Sequence, residues 1–277
     1  MSAPGETVLE ARGVAMRFGG LTALSGFELS LRAGELVGLI GPNGAGKTTA
    51  FNALTGVYAP SDGTVEVAGT RVNGMRPHQI CELGVARTFQ NVRLFRELSA
   101  FDNGRIACHA GARSGFTSAW LLTPAHDAEE ERIRRRADDF LAVMELSHRR
   151  DELARNLPYG EQRRLEIARA LATGPKVLCL DEPAAGMNAA EKLSLMNLIR
   201  SIRDRFSLAI LVIEHDMRLV MGVSERVLVL DHGVTIAHGR PEEVRRDPKV
   251  IEAYLGDGKL KLRPPRAGPP HAGGGGP

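Results

Sequence analysis

The stretch LVGLIGPNGAGKTT, residues 36–49, decides how this chain is expected to fold. Its first five residues form a continuous apolar run, which is typical of a β-strand that is buried on both faces. Residues 41–48, which come next, fit the pattern G-x-x-x-x-G-K-[ST], in which glycines let the backbone curl until successive N–H groups point at phosphate oxygens. A helix that begins near Lys47 would direct its positive N-terminal dipole at the same anion. The stretch therefore predicts a strand, a phosphate-binding loop and a helix.

The side chains of this loop complete the prediction of a nucleotide site. Lys47 supplies a mobile positive charge, and the hydroxyl of Thr48 is a hard oxygen ligand that suits Mg²⁺. A glycine-rich turn beside a surface lysine is the alternative, and the flanking strand and helix argue against it. We expect the β- and γ-phosphates of ATP to be bound by the loop as a whole: Gly41, Pro42, Asn43, Gly44, Ala45, Gly46, Lys47, Thr48 and Thr49.

Two carboxylates and a histidine follow the next buried strands of the sequence. In VLCLDE, residues 177–182, Asp181 is expected to face Mg²⁺, and Glu182 to orient or deprotonate an attacking water. Two adjacent acids could instead simply begin a turn or a helix. His215 comes just after the apolar run of residues 208–213 and is expected to donate a hydrogen bond to the γ-phosphate, although a single histidine is more often structural.

The order of strand-like and helix-like segments predicts the fold class. Strands are expected at residues 8–18, 27–31, 36–40, 63–69, 177–180, 208–213 and 227–230. We therefore predict an α/β protein: a P-loop NTPase core with a mostly parallel sheet between helices, an N-terminal antiparallel β subdomain and an inserted helical subdomain at about residues 91–173. Residues 1–257 would form this one domain. Residues 258–277 would be a disordered tail, since the last 14 contain five Gly and five Pro.

Composition excludes several classes of protein. The longest apolar run of the 277 residues is six, whereas a membrane-spanning helix needs about 20. The three cysteines are widely separated, which argues against a disulfide framework or zinc ribbon and favours a reducing, cytosolic compartment. The net charge is only +3, and the densest charge cluster, residues 129–136, pairs Glu130 with Arg134 and Glu131 with Arg135 at the helical i,i+4 spacing. We read that cluster as a solvated helix face and predict no nucleic-acid partner.

With these motifs in this order, the chain resembles the ATP-binding subunits of ABC transporters over about residues 8–256. The phosphate loop is followed by RTFQ at 87–90, then LPYGEQRRLEIARAL at 157–171, DEP at 181–183, AGMN at 185–188 and His215. The resemblance implies ATP and Mg²⁺ as ligands. It makes Glu182, His215 and Gln90 the catalytic residues, and Thr48, Gln90 and Asp181 the metal-binding residues.

The resemblance also assigns the remaining site residues. It implies that Phe18 stacks on adenine, the alternative being a core aromatic of a strand, and that Gln90 touches Mg²⁺ and senses a membrane subunit. A signature segment would cap the γ-phosphate of ATP held by a second ATPase subunit, a homologue or a second copy, in a head-to-tail dimer. This segment comprises Pro158, Tyr159, Gly160, Glu161 and Gln162.

Finer features are similar to the ATPases of branched-chain amino acid importers. They are MRFGGL at 16–21, TFQNVRLF at 88–95, RRLEIAR at 163–169, PAAGMN at 183–188 and IEAYLG at 251–256. This likeness implies two membrane permease subunits, indirectly a periplasmic substrate-binding protein, and a peripheral location on the cytoplasmic face of the inner membrane. Urea or amide uptake, lipopolysaccharide export, and a soluble ABC ATPase of translation or DNA repair stay open as alternatives.

The chain departs from the usual Leu-Ser-Gly-Gly-Gln signature of that family. Pro158 has neither a hydroxyl nor an N–H to donate, and Glu161 adds a negative charge near the phosphate, so we expect a weak contact across the dimer. Membrane coupling is expected near Gln90 and residues 91–100. Apolar side chains lie in and just after this stretch, at Leu94, Phe95, Leu98 and Phe101. Packing of these four into the chain's own helical region is the alternative.

Overall fold

A computed structural model describes residues 5–109 and 124–255. Its strands are β1 (Thr7–Phe18), β2 (Leu21–Arg32), β3 (Leu36–Ile40), β4 (Asp62–Val67), β5 (Thr70–Arg71), β6 (Val85–Arg87), β7 (Val177–Asp181), β8 (Ala209–Ile213), β9 (Arg226–Asp231) and β10 (Val234–Gly239). Its α-helices are α1 (Lys47–Leu54), α2 (Pro77–Glu82), α3 (Ala100–Cys108), α4 (Pro124–Val143), α5 (Tyr159–Ala172), α6 (Ala189–Phe206), α7 (Met217–Val223), α8 (Pro241–Val244) and α9 (Pro248–Leu255).

The main sheet has the strand order β10-β9-β3-β8-β7-β6, and every neighbouring pair is parallel except the β9–β10 hairpin. Every residue of β3, β7 and β8 is buried, which confirms the prediction from their continuous apolar runs. Because parallel strands all run the same way, the carboxyl ends of β3, β6, β7 and β8 lie on one edge of the sheet.

A second, antiparallel sheet has the order β2-β1-β4-β5. The predicted alternation of buried and exposed residues holds in residues 27–32 of β2, whereas β1 has consecutive buried residues at 8–9 and 14–16. β2 is longer than expected and begins at Leu21 rather than near Phe27, because it pairs with β1 back to Phe18. Its fully buried Phe27 lies in a hydrophobic core shared with residues of β3 and α1, so the two sheets are packed together.

The described part of residues 91–173 is mostly helical, with α3 packed against α4 and α5. Gly104 of α3 faces Ala137 of α4, since a Cβ on Gly104 would lie in ordinary van der Waals contact with the Cβ of Ala137, at 3.7 Å. Glu131 pairs with Arg135 at 2.8 Å, as the spacing predicted. Two sheets and this helical region confirm the predicted fold class. The expected tail, residues 258–277, lies outside the described residues.

The cysteines and the helix lengths complete the description of the fold. Cys81, Cys108 and Cys179 are all free thiols. Among residues 5–109 and 124–255, no helix is both long enough and apolar enough to cross a bilayer.

Candidate nucleotide site

The phosphate loop joins the carboxyl end of β3 to the first turn of α1, and two of its glycines are sterically required. Gly41 has φ +155°, and a Cβ there would lie 2.1 Å from the carbonyl oxygen of Leu230. Gly46 has φ +98°, and its Cβ would lie 2.8 Å from the carbonyl oxygen of Ala23. Both positions exclude any side chain, so the loop is held close to neighbouring backbone on each side.

Lys47 is buried at the start of α1, and its ammonium group is directed back into the loop. Its Nζ donates hydrogen bonds to the carbonyl oxygens of Gly41 at 2.7 Å and Pro42 at 2.8 Å. Thr48, next on the helix, is exposed. A cavity of about 370 Å³ opens beside them and is lined by Leu21, Thr22, Ala23, Gly44, Ala45, Gly46, Lys47, Thr48, Thr49 and His232. A charged amine, curled backbone and a hydroxyl around a cavity suit a polyphosphate.

Phe18, the expected adenine-stacking residue, is the last residue of β1 and is 44% exposed. It is therefore not a core aromatic, which was the alternative. Its ring meets that of Tyr58 edge to face, with centroids 5.3 Å apart and planes at 75°. Sequence reasoning missed Tyr58, which lies 40 residues away; an exposed aromatic in a loop carries no periodicity that would mark it.

The metal-facing carboxylate predicted at the end of β7 is buried beside a cation. Asp181 Oδ2 lies 3.7 Å from Arg87 Nη2. Burial raises the pKa of Asp181, while the positive charges of Arg87 and, more weakly, Lys47 act in the opposite direction. Arg87 also donates to the side-chain oxygens of Asn52 at 2.7 Å and Thr55 at 2.8 Å, so it links Asp181 to α1.

Three expected catalytic side chains meet after β7. Gln90 Nε2 donates to Glu182 Oε2 at 3.4 Å, and His215 Nδ1 lies 3.7 Å from Glu182 Oε1. The strand register explains the meeting, because Asp181 pairs with Ile213 and the N–H of Glu182 donates to the carbonyl of Ile213 at 2.9 Å. Glu182 has φ +46°, a conformation that is strained for a residue with a side chain and that recurs at functional sites.

A carboxylate that the sequence did not single out lies next to these three. Glu214 is 1% exposed, and it accepts a hydrogen bond from the backbone N–H of Ala184 at 2.9 Å. Burial raises its pKa, and the Ala184 N–H and His215 oppose that shift. It therefore ties the segment after Glu182 to the residue before His215. The signal in the sequence was a charged residue directly after an apolar run, which alone does not indicate burial.

The expected signature segment begins α5, with Pro158 as the N-cap residue. Pro158 and Tyr159 are exposed, and the first N–H groups of a helix have no partner within it. The carboxylate of Glu161 repels an anion less than expected, because Arg149 Nε donates to its Oε2 at 2.9 Å. The negative charge predicted at this helix end is thus offset by the Arg149 guanidinium.

The four apolar residues expected at a membrane contact divide into two groups. Leu94 and Phe101 pack against buried cores of the helical region, so for them the alternative reading was right. Leu98 is partly buried, and Phe95 is 47% exposed with the Arg169 guanidinium 4.9 Å from its ring centre. Arg169 also lines a neighbouring cavity of about 470 Å³ together with Arg93, Phe89 and Cys81.

A glycine-rich phosphate loop after β3, a buried aspartate ending β7 and a glutamate beyond it define a P-loop ATPase. A family model described as ABC transporter matches residues 24–185, and one described as branched-chain amino acid ATP-binding cassette transporter matches residues 234–259. The chain belongs to the ABC transporter family, as a nucleotide-binding ATPase subunit.

Curated relatives and solved structures agree with this assignment. The chain is 48% identical to the high-affinity branched-chain amino acid transport ATP-binding protein LivG of Salmonella typhimurium, over 91% of this chain and 99% of the relative. It is 44% identical to BraF of Pseudomonas aeruginosa, a protein with the same description, over 90% and 98%. A crystal structure of a nucleotide-free ATP-binding cassette from an ABC transporter matches with TM-score 0.78 and 29% identity, covering 90% of this chain and 99% of that one.

Proposed function

We propose that this chain hydrolyses ATP to energise the uptake of branched-chain amino acids through separate membrane permeases. The meeting of Gln90 and His215 at Glu182 is the observation that carries the hydrolytic half of the proposal. The substrate half is supported by 44–48% identity to LivG and BraF over nine-tenths of the chain. The match of residues 234–259 to a branched-chain cassette model supports it further.

The residues around the loop have the chemistry that hydrolysis needs. Lys47 and the loop N–H groups would bind the phosphates, and Glu182 would hold the attacking water and accept its proton. His215 would donate a hydrogen bond to the transferred phosphate. Mg²⁺ fits the donor set, because Thr48 offers a hydroxyl and Asp181 a buried carboxylate, both hard oxygen ligands. When bound, the ion would neutralise phosphate charge; Gln90 is its third expected contact.

The second ATPase subunit in this proposal, a copy or a homologue, would be met by residues 158–162. The exposed start of α5 offers backbone N–H groups and the positive end of a helix 14 residues long. Pro158 supplies no hydroxyl, so the contact would rest on backbone donors at Gly160 and its neighbours. We therefore expect the chain alone to dimerise poorly on ATP and to need its membrane partner, or a homologous ATPase with a standard signature, for full turnover.

The chain would work on the cytoplasmic face of the inner membrane, as a peripheral subunit bound to two permeases. A periplasmic binding protein would deliver the amino acid to those permeases. Urea or amide uptake and lipopolysaccharide export would use the same ATPase chemistry, since none of the catalytic residues touches the transported molecule. A transport measurement therefore has to decide between them.

Deletion of the gene in its native host is expected to lower uptake of labelled leucine, isoleucine and valine by about tenfold or more, because permeases without ATP turnover cannot drive import. Expression of the wild-type chain should restore uptake, and Glu182→Gln should not. Unchanged leucine uptake together with lost urea uptake would contradict the substrate assignment. Tagged chain purified from membranes should carry two permeases with it, and their identity gives an independent answer.

Phe95→Ser is expected to reduce the copurifying permease by about tenfold, because Phe95 is the most exposed apolar side chain of the expected contact region. The matched control is Ile106→Ser, which removes an apolar residue of similar exposure, 40%, from α3. Thermal unfolding of both variants should match the wild type. A clear loss of folding in Phe95→Ser alone, with permease binding per folded chain unchanged, would show that this side chain is structural.

A further inference from the structure

A buried ion pair lies on α5, one turn beyond the signature segment. Arg163 Nη1 is 3.2 Å from Glu166 Oε2, and the two side chains are only 2% and 7% exposed. Replacing such a pair by apolar residues is often neutral for stability, because desolvation offsets most of the attraction. Its contacts with other parts of the chain are therefore more informative about its role than its charge is.

Arg163 holds the loop that carries Gln90. Its guanidinium donates to the carbonyl oxygen of Phe89 at 2.8 Å and to that of Gln90. Its Nε donates to the hydroxyl of Tyr159 at 3.0 Å. A guanidinium is a rigid planar fork, so these bonds fix the carbonyls relative to one another as well as to the helix.

Glu166 holds the same loop by its N–H groups. Its Oε1 accepts hydrogen bonds from the backbone N–H of Phe89 and of Arg93, each at 3.3 Å. Burial raises the pKa of Glu166, whereas the Arg93 N–H and the Arg163 charge oppose that shift. Residues 89–93 are thus attached to α5 through both the carbonyl and the amide sides of their backbone.

The same helix also touches the chain on the other side of Glu182. A Cβ placed on Gly186 would lie 3.2 Å from Cε1 of Tyr159, so the aromatic ring rests on that glycine, which has φ +77°. α5 therefore reaches Gln90 through Arg163 and reaches the segment after Glu182 through Tyr159. A shift of the start of α5 would therefore displace chain segments on both sides of the expected catalytic residue Glu182.

We propose that Arg163 and Glu166 are positioning residues that fasten the Gln90 loop to the signature helix, so that displacement of residues 158–162 moves Gln90 relative to Glu182. The inference rests on the proposed function for the roles of Gln90 and Glu182. When the start of α5 contacts a second subunit, Arg163 and Glu166 transmit that contact to the hydrolytic site.

The test is the double variant Arg163→Met, Glu166→Leu in the full chain, with Arg164→Met as matched control. The double change approximately keeps the buried volume and removes the donors and acceptors of Arg163 and Glu166, while the hydrogen bond from Arg169 to the carbonyl oxygen of Arg93 remains. Arg164 is on the same helix, but it bonds to Glu145 and Ser194 instead. Amide hydrogen exchange of residues 89–93 is expected to speed up about tenfold in the double variant and stay unchanged in the control. The midpoint of thermal unfolding should stay near the wild-type value.

Kinetics in the complex with its permeases separate positioning from packing. The double variant is expected to lower kcat about tenfold with the KM for ATP within about twofold, since binding at the loop of residues 41–49 is untouched.

Glu166→Gln, which keeps an acceptor oxygen but not its charge, should show smaller changes in both measurements, and it covers the case of a double variant that does not fold. Unchanged exchange at residues 89–93 in the folded variant, or in Glu166→Gln if the double variant is unfolded, would overturn the proposal. So would a fall in thermal stability without a change in kcat. Absence of ATP turnover by the wild-type complex would instead count against the proposed function, and the exchange result would still test the link.

Discussion

Replacing Glu182 by glutamine is expected to lower ATP turnover by about a hundredfold or more, because glutamine keeps the shape of the side chain but cannot accept a proton. Gln90 Nε2 and His215 Nδ1 lie 3.4 and 3.7 Å from this carboxylate, so the change alters the group at which the expected catalytic side chains meet. ATP should still bind, and a dimer that holds unhydrolysed ATP should accumulate. Size-exclusion chromatography with ATP and Mg²⁺, with and without the permeases, measures the fraction of dimer.

The matched control for this experiment is Glu131→Gln, which removes the charge of an exposed carboxylate paired with Arg135 on α4. Its turnover and elution volume should equal those of the wild type. If Glu182→Gln turns over ATP at a near-normal rate, another residue is the base. If no dimer forms under any of the conditions, the head-to-tail arrangement is wrong for this chain, whatever happens to the rate.

Lys47→Ala is expected to lower ATP turnover by about a hundredfold or more and to weaken nucleotide binding sharply. The ammonium group is buried and directed into the phosphate loop, where a positive charge is screened far less than at the surface. Titration with a fluorescent ATP analogue measures binding, and phosphate release measures turnover. Both should fall together, because the same charge would act on the bound nucleotide and on the transition state.

Lys176→Ala provides the control, because this exposed lysine precedes the amino end of β7, at the edge of the sheet opposite the phosphate loop. It should bind and hydrolyse ATP normally. Lys47→Arg keeps the charge on a larger group and should recover part of the binding but little turnover. If Lys47→Ala binds nucleotide as tightly as the wild type, the assignment of residues 41–49 as the phosphate-binding loop is wrong.

Local patterns in the sequence were sufficient for seven of the ten described strands, for the phosphate loop and for the fold class. A continuous apolar run marks a strand buried on both faces, as in residues 36–40, and glycines at fixed spacing mark a loop that only glycine can form. Gly41 and Gly46 meet that requirement through backbone contacts too close for any Cβ. Such features are encoded within a few consecutive residues, so they can be read without knowledge of the fold.

The motifs also carried the resemblance that named Gln90, Glu182 and His215 before their distances were known. Their meeting follows from parallel strands whose carboxyl ends share one edge of the sheet. The register of β7 with β8 then sets which residues emerge side by side. The sequence could order these residues along the chain, but the separations of 3.4 and 3.7 Å depend on that register.

Tertiary structure alone decided which polar side chains are buried and what they hold. Arg163 and Glu166 appear in the sequence as two of several charges on an amphipathic helix, and only their contacts with residues 89–93 reveal their place in the molecule. The burial of Glu214, the pairing of Tyr58 with Phe18 and the exposure of Phe95 were equally out of reach. The physical reason is that the cost of burying a charge is set by hydrogen-bond partners far away in sequence, which only the folded chain brings together.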